Sequence, residues 1–126
     1  MGFSYLACPY HHADDRVMEY RAMRATQVAA ALIGSGKVVF SPLSHSKEML
    51  NLPRTWDFWQ RYDREFLETC EHLYVLCLED WEKSKGVQEE INVAEMLGIP
   101  VTYLNSRGLP CSMDEWAEFL WERSTS

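Results

Sequence analysis

The sequence has no basic stripe, no long apolar run and no clustered cysteines, and each absence removes a class of function. Lysine and arginine number 12 against 19 aspartates and glutamates, a formal charge of -7, so nothing in the chain releases counterions from nucleic acid or grips an anionic membrane. No apolar stretch approaches the roughly 20 residues of a membrane span, and residues 1–10, MGFSYLACPY, lack the basic n-region and apolar core of a secretory signal. A cytoplasmic protein with no nucleic-acid or membrane partner is expected. The four cysteines, Cys8, Cys70, Cys77 and Cys111, show neither CxxC nor Cys/His zinc spacing, which points to reduced thiols and no metal. The phosphate loop GxxxxGK[ST] and the dinucleotide fingerprint GxGxxG are both missing; GSGK at 34–37 falls between a helix and a strand and reads as a helix stop. No cofactor is implied.

What is present is the composition of a folded domain, 47% hydrophobic and 25% charged. A single domain over residues 1–126 is expected, with a flexible Ser-Thr-Ser tail. Phe3 to Cys8 reads as a strand closed by Pro9. Met18, Ala22, Ala25, Ala29 and Leu32 recur at helical spacing, with Asp14 or Asp15 to cap the start and Gly34 to end it. Lys37 to Phe40 is a second strand, followed by the long loop SPLSHSKEMLNLP. Thr55 to Cys70 is a second helix, and Leu73 to Leu78 a third strand apolar enough to be buried on both faces. Ser84 to Leu97 is a third helix, Ile99 to Leu104 a fourth strand and Ser112 to Glu122 a last helix. This alternation predicts an α/β fold: a doubly wound, flavodoxin-like or Rossmann-like parallel sheet of four or five strands with helices on both faces. Ligands bind such sheets beyond the carboxyl ends of the strands, which selects the segments CPYHH, SPLSH and EDWEKSKG.

Two carboxylates fall where apolar residues are expected. On a wheel at about 100° per residue with Val87 as origin, Glu90 lies at about -60°, inside the stripe of Ile91, Ala94, Leu97 and Gly98, whereas Glu89 lies at about -160°. In the second helix Asp63 sits on the stripe of Trp59, Phe66 and Cys70. A carboxylate on an apolar face must find partners or bear a desolvation cost, and either residue alone can be an ordinary capping or paired acid. Two of them near one rim are the equipment of glycosyl transfer, one attacking the anomeric carbon while the other protonates the leaving group or binds sugar hydroxyls. Ser84 and Gly86 open the third helix, where free N–H groups, the helix dipole, a hydroxyl and a glycine suit a phosphate, though Ser-x-Gly also serves as a plain cap.

The run Tyr5-Leu6-Ala7-Cys8-Pro9-Tyr10, an aspartate in the second helix and Ser-x-Gly-x-x-x-Glu-Ile in the third resemble the nucleoside 2-deoxyribosyltransferase superfamily. The likeness is closer to its nucleoside 5′-monophosphate N-glycosidase branch, with its small bacterial and phage members, and runs from the first strand to the fourth. It implies that Glu90 attacks C1′ of the sugar, that Tyr5 orients Glu90, and that Asp63 contacts the sugar or protonates the departing base. It further implies that Ser84 and Gly86 hold the 5′-phosphate, and that Tyr10, His11, His45, Trp56 and Trp59 line the base and sugar pocket. Family members are commonly homodimers or larger, so a homo-oligomer is expected. Two positions depart from the pattern: Asn92 follows Glu-Ile where a small residue is usual, and Pro9-Tyr10-His11-His12 replaces a glycine-rich turn.

The expected activity is therefore cleavage or exchange of an N-glycosidic bond in a nucleoside or its 5′-monophosphate, with hydrolysis favoured over base transfer. The alternative is a non-catalytic nucleotide-binding module using the same rim. Among the tryptophans, Trp116 and Trp121 are expected in the core or a subunit interface, and Trp56, Trp59 and Trp81 in or beside the rim.

Overall fold

A computed structural model of the chain describes residues 2–46, 49, 51–53 and 55–111. The helix expected over Ser112 to Glu122, with Trp116 and Trp121, lies outside them. The described elements are β1 (Ser4–Ala7), α1 (Asp15–Gly34), β2 (Val39–Phe40), α2 (Pro42–Ser46), α3 (Trp56–Leu67), β3 (His72–Leu76), α4 (Lys85–Leu97), β4 (Val101–Leu104) and β5 (Pro110–Cys111). They build one five-stranded sheet in the order β2-β1-β3-β4-β5, parallel except for β5. This is the expected α/β fold, with helices on both faces.

The pleat of β1 and β3 divides the core. Leu6, Tyr74 and Leu76 point to one face, where they pack with Val28 and Ala29 of α1. Tyr5, Ala7, Leu73 and Val75 point to the other, against Leu67 at the end of α3 and Val87, Ile91 and Ala94 of α4. Burying the side chains of Leu6, Leu73, Leu76 and Leu104, each at most 1% exposed, contributes about 1.5–3 kcal/mol apiece.

The helix signals work as their chemistry requires. The Asp14 carboxylate accepts the Arg16 backbone N–H at 2.9 Å to start α1, and Ser84 Oγ accepts the Val87 N–H at 3.3 Å to start α4. Gly98, in the left-handed region at φ 72°, ends α4.

Several boundaries differ from the expectation. The second and fourth strands begin two residues late, at Val39 and Val101, and α3 stops at Leu67 rather than Cys70. The long loop after β2 contains the short helix α2. Strand β5 was not anticipated. It returns through a turn in which the Asn105 side chain accepts the N–H groups of Arg107 and Leu109, at 2.9 and 3.1 Å, and Gly108 adopts φ +81°. An asparagine side chain standing in for a backbone acceptor is a local signal that strand periodicity does not carry.

The chain leaves β1 for β2 on one side and later crosses back to β3 on the other, so its direction reverses between β1 and β3. Their carboxyl ends define the crevice where ligands bind in this architecture.

Candidate active site

A cavity of about 860 Å³ opens at that crevice, a size suited to a small molecule. Its lining includes Tyr5 from β1, Tyr10 and His11 from the next loop, Trp56, Trp59 and Asp63 from α3, and Ser84, Gly86 and Glu90 from the start of α4. Nine of the ten expected site residues are in that set. His45 is not: its Nε2 lies 2.9 Å from the Tyr62 hydroxyl, and its ring stacks on Tyr62 and meets Phe40 at a tilt. It ties α2 to α3, and Pro42, Leu43, Ser46 and Met49 supply that wall of the cavity instead.

Tyr5, Asp63 and Glu90 form the polar floor. Tyr5 is fully buried, while Glu90 keeps part of its surface open toward the cavity it lines. Even so, burial dominates its chemistry. Desolvation lifts the Glu90 carboxyl from 4.5 to about 8, with the Tyr5 hydroxyl pulling it down and the neighbouring Asp63 pushing it further up. Desolvation also lifts Asp63 from 3.8 to about 7. The Tyr5 phenol is held well above its ordinary value by burial first, then by the charges of Glu90 and Asp63. Although the Tyr5 hydroxyl interacts with Glu90, it has no partner at full hydrogen-bond geometry, and neither has Asp63 Oδ1. Buried polar atoms of this kind are costly unless something completes them.

Glu89 corrects the helical wheel. It was expected on the outer side, yet it is half-buried and lines the same cavity. The wheel treats α4 as a cylinder against a flat sheet, whereas α3 packs beside α4 and the cavity between them takes in more of the helix surface. What separates the two glutamates is the desolvation of Glu90 beside Tyr5 and Asp63.

Cys8 also lines the cavity, but burial pushes its thiol up to about 12 despite the opposing charge of Arg21. A thiol so strongly held is no nucleophile at neutral pH. Among the described residues no group of three or more histidines, cysteines and acids could hold a metal.

Arg21 was missed. It is 6% exposed, and its guanidinium donates to the carbonyls of Tyr10 at 3.3 Å, His11 at 3.0 Å and Glu79 at 3.1 Å. It thereby ties the loop after β1 to the loop after β3 across the rim. The signal was present: Arg21 stands four residues before Ala25, on the inward stripe of α1, where a cation needs a reason.

Residues 2–106 match the model of the family described as Domain of unknown function (DUF1937). The chain belongs to that family. No curated protein matches this DUF1937 chain. Among solved structures it is similar to a 2-deoxyribosyltransferase from the psychrotolerant bacterium Bacillus psychrosaccharolyticus, described as a biocatalyst for nucleoside synthesis. The TM-score is 0.56 and the identity 21%, over 81% of this chain and 71% of that one. At that identity the likeness establishes a shared fold. No helix among the described residues is long and apolar enough to cross a membrane.

Proposed function

We propose that this DUF1937 protein cleaves or exchanges the N-glycosidic bond of a nucleoside or nucleoside 5′-monophosphate, hydrolysis being favoured over base transfer. The observation that carries this reading is the pair of desolvated carboxyls, Glu90 and Asp63, on the floor of a nucleoside-sized cavity beside the buried Tyr5 hydroxyl. The fold shared with a 2-deoxyribosyltransferase supports it.

In the proposed reaction a Glu90 carboxylate oxygen attacks C1′ and forms a glycosyl ester. The C1′–N bond breaks, its electron pair leaves with the base, and the proton of Asp63 passes to that base. Water then attacks C1′, returns a proton to Asp63 and frees Glu90; a second base in place of water gives exchange. Tyr5 steers the Glu90 carboxylate. Ser84 and Gly86 hold the 5′-phosphate, and Tyr10, His11 and Trp59 face the sugar and base. As in the resemblance, the working unit is a homodimer or larger, which sizing in solution checks.

The reactive form needs Glu90 ionised and Asp63 protonated, while the pair titrates at about 8 and about 7 respectively. Catalysis through this form gives a bell-shaped profile of kcat/KM with its maximum in that interval and limbs that belong to the coupled pair.

Incubation with ribo- and deoxyribonucleosides and their 5′-monophosphates, followed by chromatography, tests the proposal. Free base is expected from at least one of them. If none releases base, and none exchanges it when a second base is added, the enzyme reading fails. A second reading rests on the same raised value: a Glu90 that keeps its proton at pH 7 can donate to a sugar hydroxyl in a non-catalytic binding module. Thermal stabilisation by nucleotides that stay intact would favour it.

A further inference from the structure

The wall that α2 and α3 give the cavity commits most of its polar groups inside the protein. Ser46 Oγ donates to the Pro42 carbonyl at 2.9 Å, the Trp59 indole N–H to the Pro53 carbonyl at 2.8 Å, and Arg64 Nε to the Glu68 carboxylate at 2.8 Å. Thr55 Oγ1 caps α3 by accepting the Phe58 N–H. The Trp56 N–H lies beside the start of α4, 3.9 Å from where a Gly86 Cβ would stand.

Two groups further along α3 remain for a ligand. Asp63 Oδ1 is buried with no partner at full hydrogen-bond geometry. The Gln60 side chain is half-buried on the cavity wall, and its amide has no hydrogen bond among the described residues. Gln60 precedes Asp63 by three residues, so their Cβ atoms stand about 5–6 Å apart on one face of the helix. An amide carries both a donor and an acceptor, and nothing in the described protein meets either.

In the proposed reaction Asp63 gives its proton to the departing base. A purine leaves from N9, and N7, the other nitrogen of the same five-membered ring, has a free lone pair. A proton on N7 lets the electron pair of the C1′–N9 bond settle in the ring, and the base departs neutral. N7 and the group at position 6 lie side by side on one edge of adenine or guanine, whereas the matching edge of a pyrimidine offers its 4-substituent and no ring acceptor. An acid beside an amide fits the purine edge. The amide oxygen accepts from a 6-amino group, its NH2 donates to a 6-oxo group, and turning the amide over exchanges the two.

We propose that Gln60 is a specificity-determining residue, whose amide reads the group at position 6 beside Asp63 and makes the site take purine over pyrimidine bases without choosing between 6-amino and 6-oxo. The inference rests on the glycosyl-transfer reading of the cavity.

The test is kcat/KM for base release from adenine, hypoxanthine, cytosine and uracil nucleosides and 5′-monophosphates in both sugar series, read by chromatography. The parent should release the two purines alike and the pyrimidines about tenfold more slowly or worse. Gln60→Met keeps the length and removes both hydrogen-bonding groups; purine release should fall about 5–10-fold, with pyrimidine release unchanged. Gln60→Glu is the sharper probe, because a carboxylate accepts and does not donate. It should prefer adenine to hypoxanthine by about tenfold, a ratio that a purely structural role would not move. A 7-deazaadenine substrate, with carbon in place of N7, should resist the parent. The proposal is overturned if the parent releases pyrimidines as fast as purines, if Gln60→Met slows both classes alike, or if Gln60→Glu leaves the adenine-to-hypoxanthine ratio unchanged. It is overturned too if the 7-deaza substrate is cleaved as fast as its adenine counterpart. Each of these results spares glycosyl transfer, whereas release of no base from any substrate sinks both.

Discussion

The two faces of one sheet treat buried polar groups in opposite ways. On the α1 side the core is Leu6, Val28, Ala29, Tyr74 and Leu76, and the cation that α1 buries, Arg21, spends its donors on three backbone carbonyls. On the α3 and α4 side the Tyr5 hydroxyl, beside Glu90, and Asp63 Oδ1 have no partner at full hydrogen-bond geometry, and two carboxyls sit far above their ordinary range. Both faces derive from the same strands, since alternate residues of β1 and β3 feed each. Satisfied polarity is the ordinary condition of a protein interior, so the face that leaves it incomplete is the one where function is to be sought.

The difference can be broken at its strongest point first. If Glu90 is the nucleophile, Glu90→Gln should lower the rate of base release by about 10³-fold or more, measured by chromatography; a variant retaining a tenth of the rate would assign the chemistry elsewhere. Next comes Tyr5→Phe, which removes the hydroxyl that helps ionise Glu90. A fall of about 10–100-fold in kcat/KM, with the limb belonging to Glu90 moved to higher pH, is expected. Stability should change little, because the lost hydroxyl has no full hydrogen bond.

Stability should separate the faces by sign. Arg21→Leu strands three carbonyls and should cost about 2–4 kcal/mol in denaturant unfolding, with faster hydrogen exchange at Tyr10, His11 and Glu79. Glu90→Gln should do the reverse at high pH. Raised carboxyl values in the folded state mean that folding takes up protons, so their contribution is full below the ordinary carboxyl range and is lost as pH rises through about 7 and about 8. Melting temperature should therefore drop between pH 5 and pH 9, and drop less in Glu90→Gln. Equal pH dependence in the two proteins would show that Glu90 is not desolvated. The smallest effect is expected from Glu89→Gln, less than tenfold on base release. A larger one would erase the distinction between adjacent glutamates.

Much of this was legible because the positions are fixed by rules of chain direction. In a sheet of parallel strands the loops after β1, β2 and β3 must share a rim, which brings Tyr10, Trp56 and Ser84 together before any contact is known. Asp63 and Glu90 were visible as acids on apolar stripes. The His45 error has a different origin: a histidine in a rim loop can turn to the cavity or to a neighbouring aromatic, and Tyr62 with Phe40 offered the better surface. Arg21 was hidden because its partners are carbonyls, and any residue has one. The two-residue strand β5 depends on the Asn105 turn, too short a pattern to stand out.

A double displacement through Glu90 inverts C1′ twice, so the sugar must keep its configuration. The most direct test is base release in dilute methanol, with the anomer of the methyl glycoside read by proton NMR before any rearrangement. Attack by Glu90 predicts the β-methyl glycoside from a β-nucleoside or its monophosphate. The α-anomer would mean direct attack by solvent and would contradict a covalent role for Glu90.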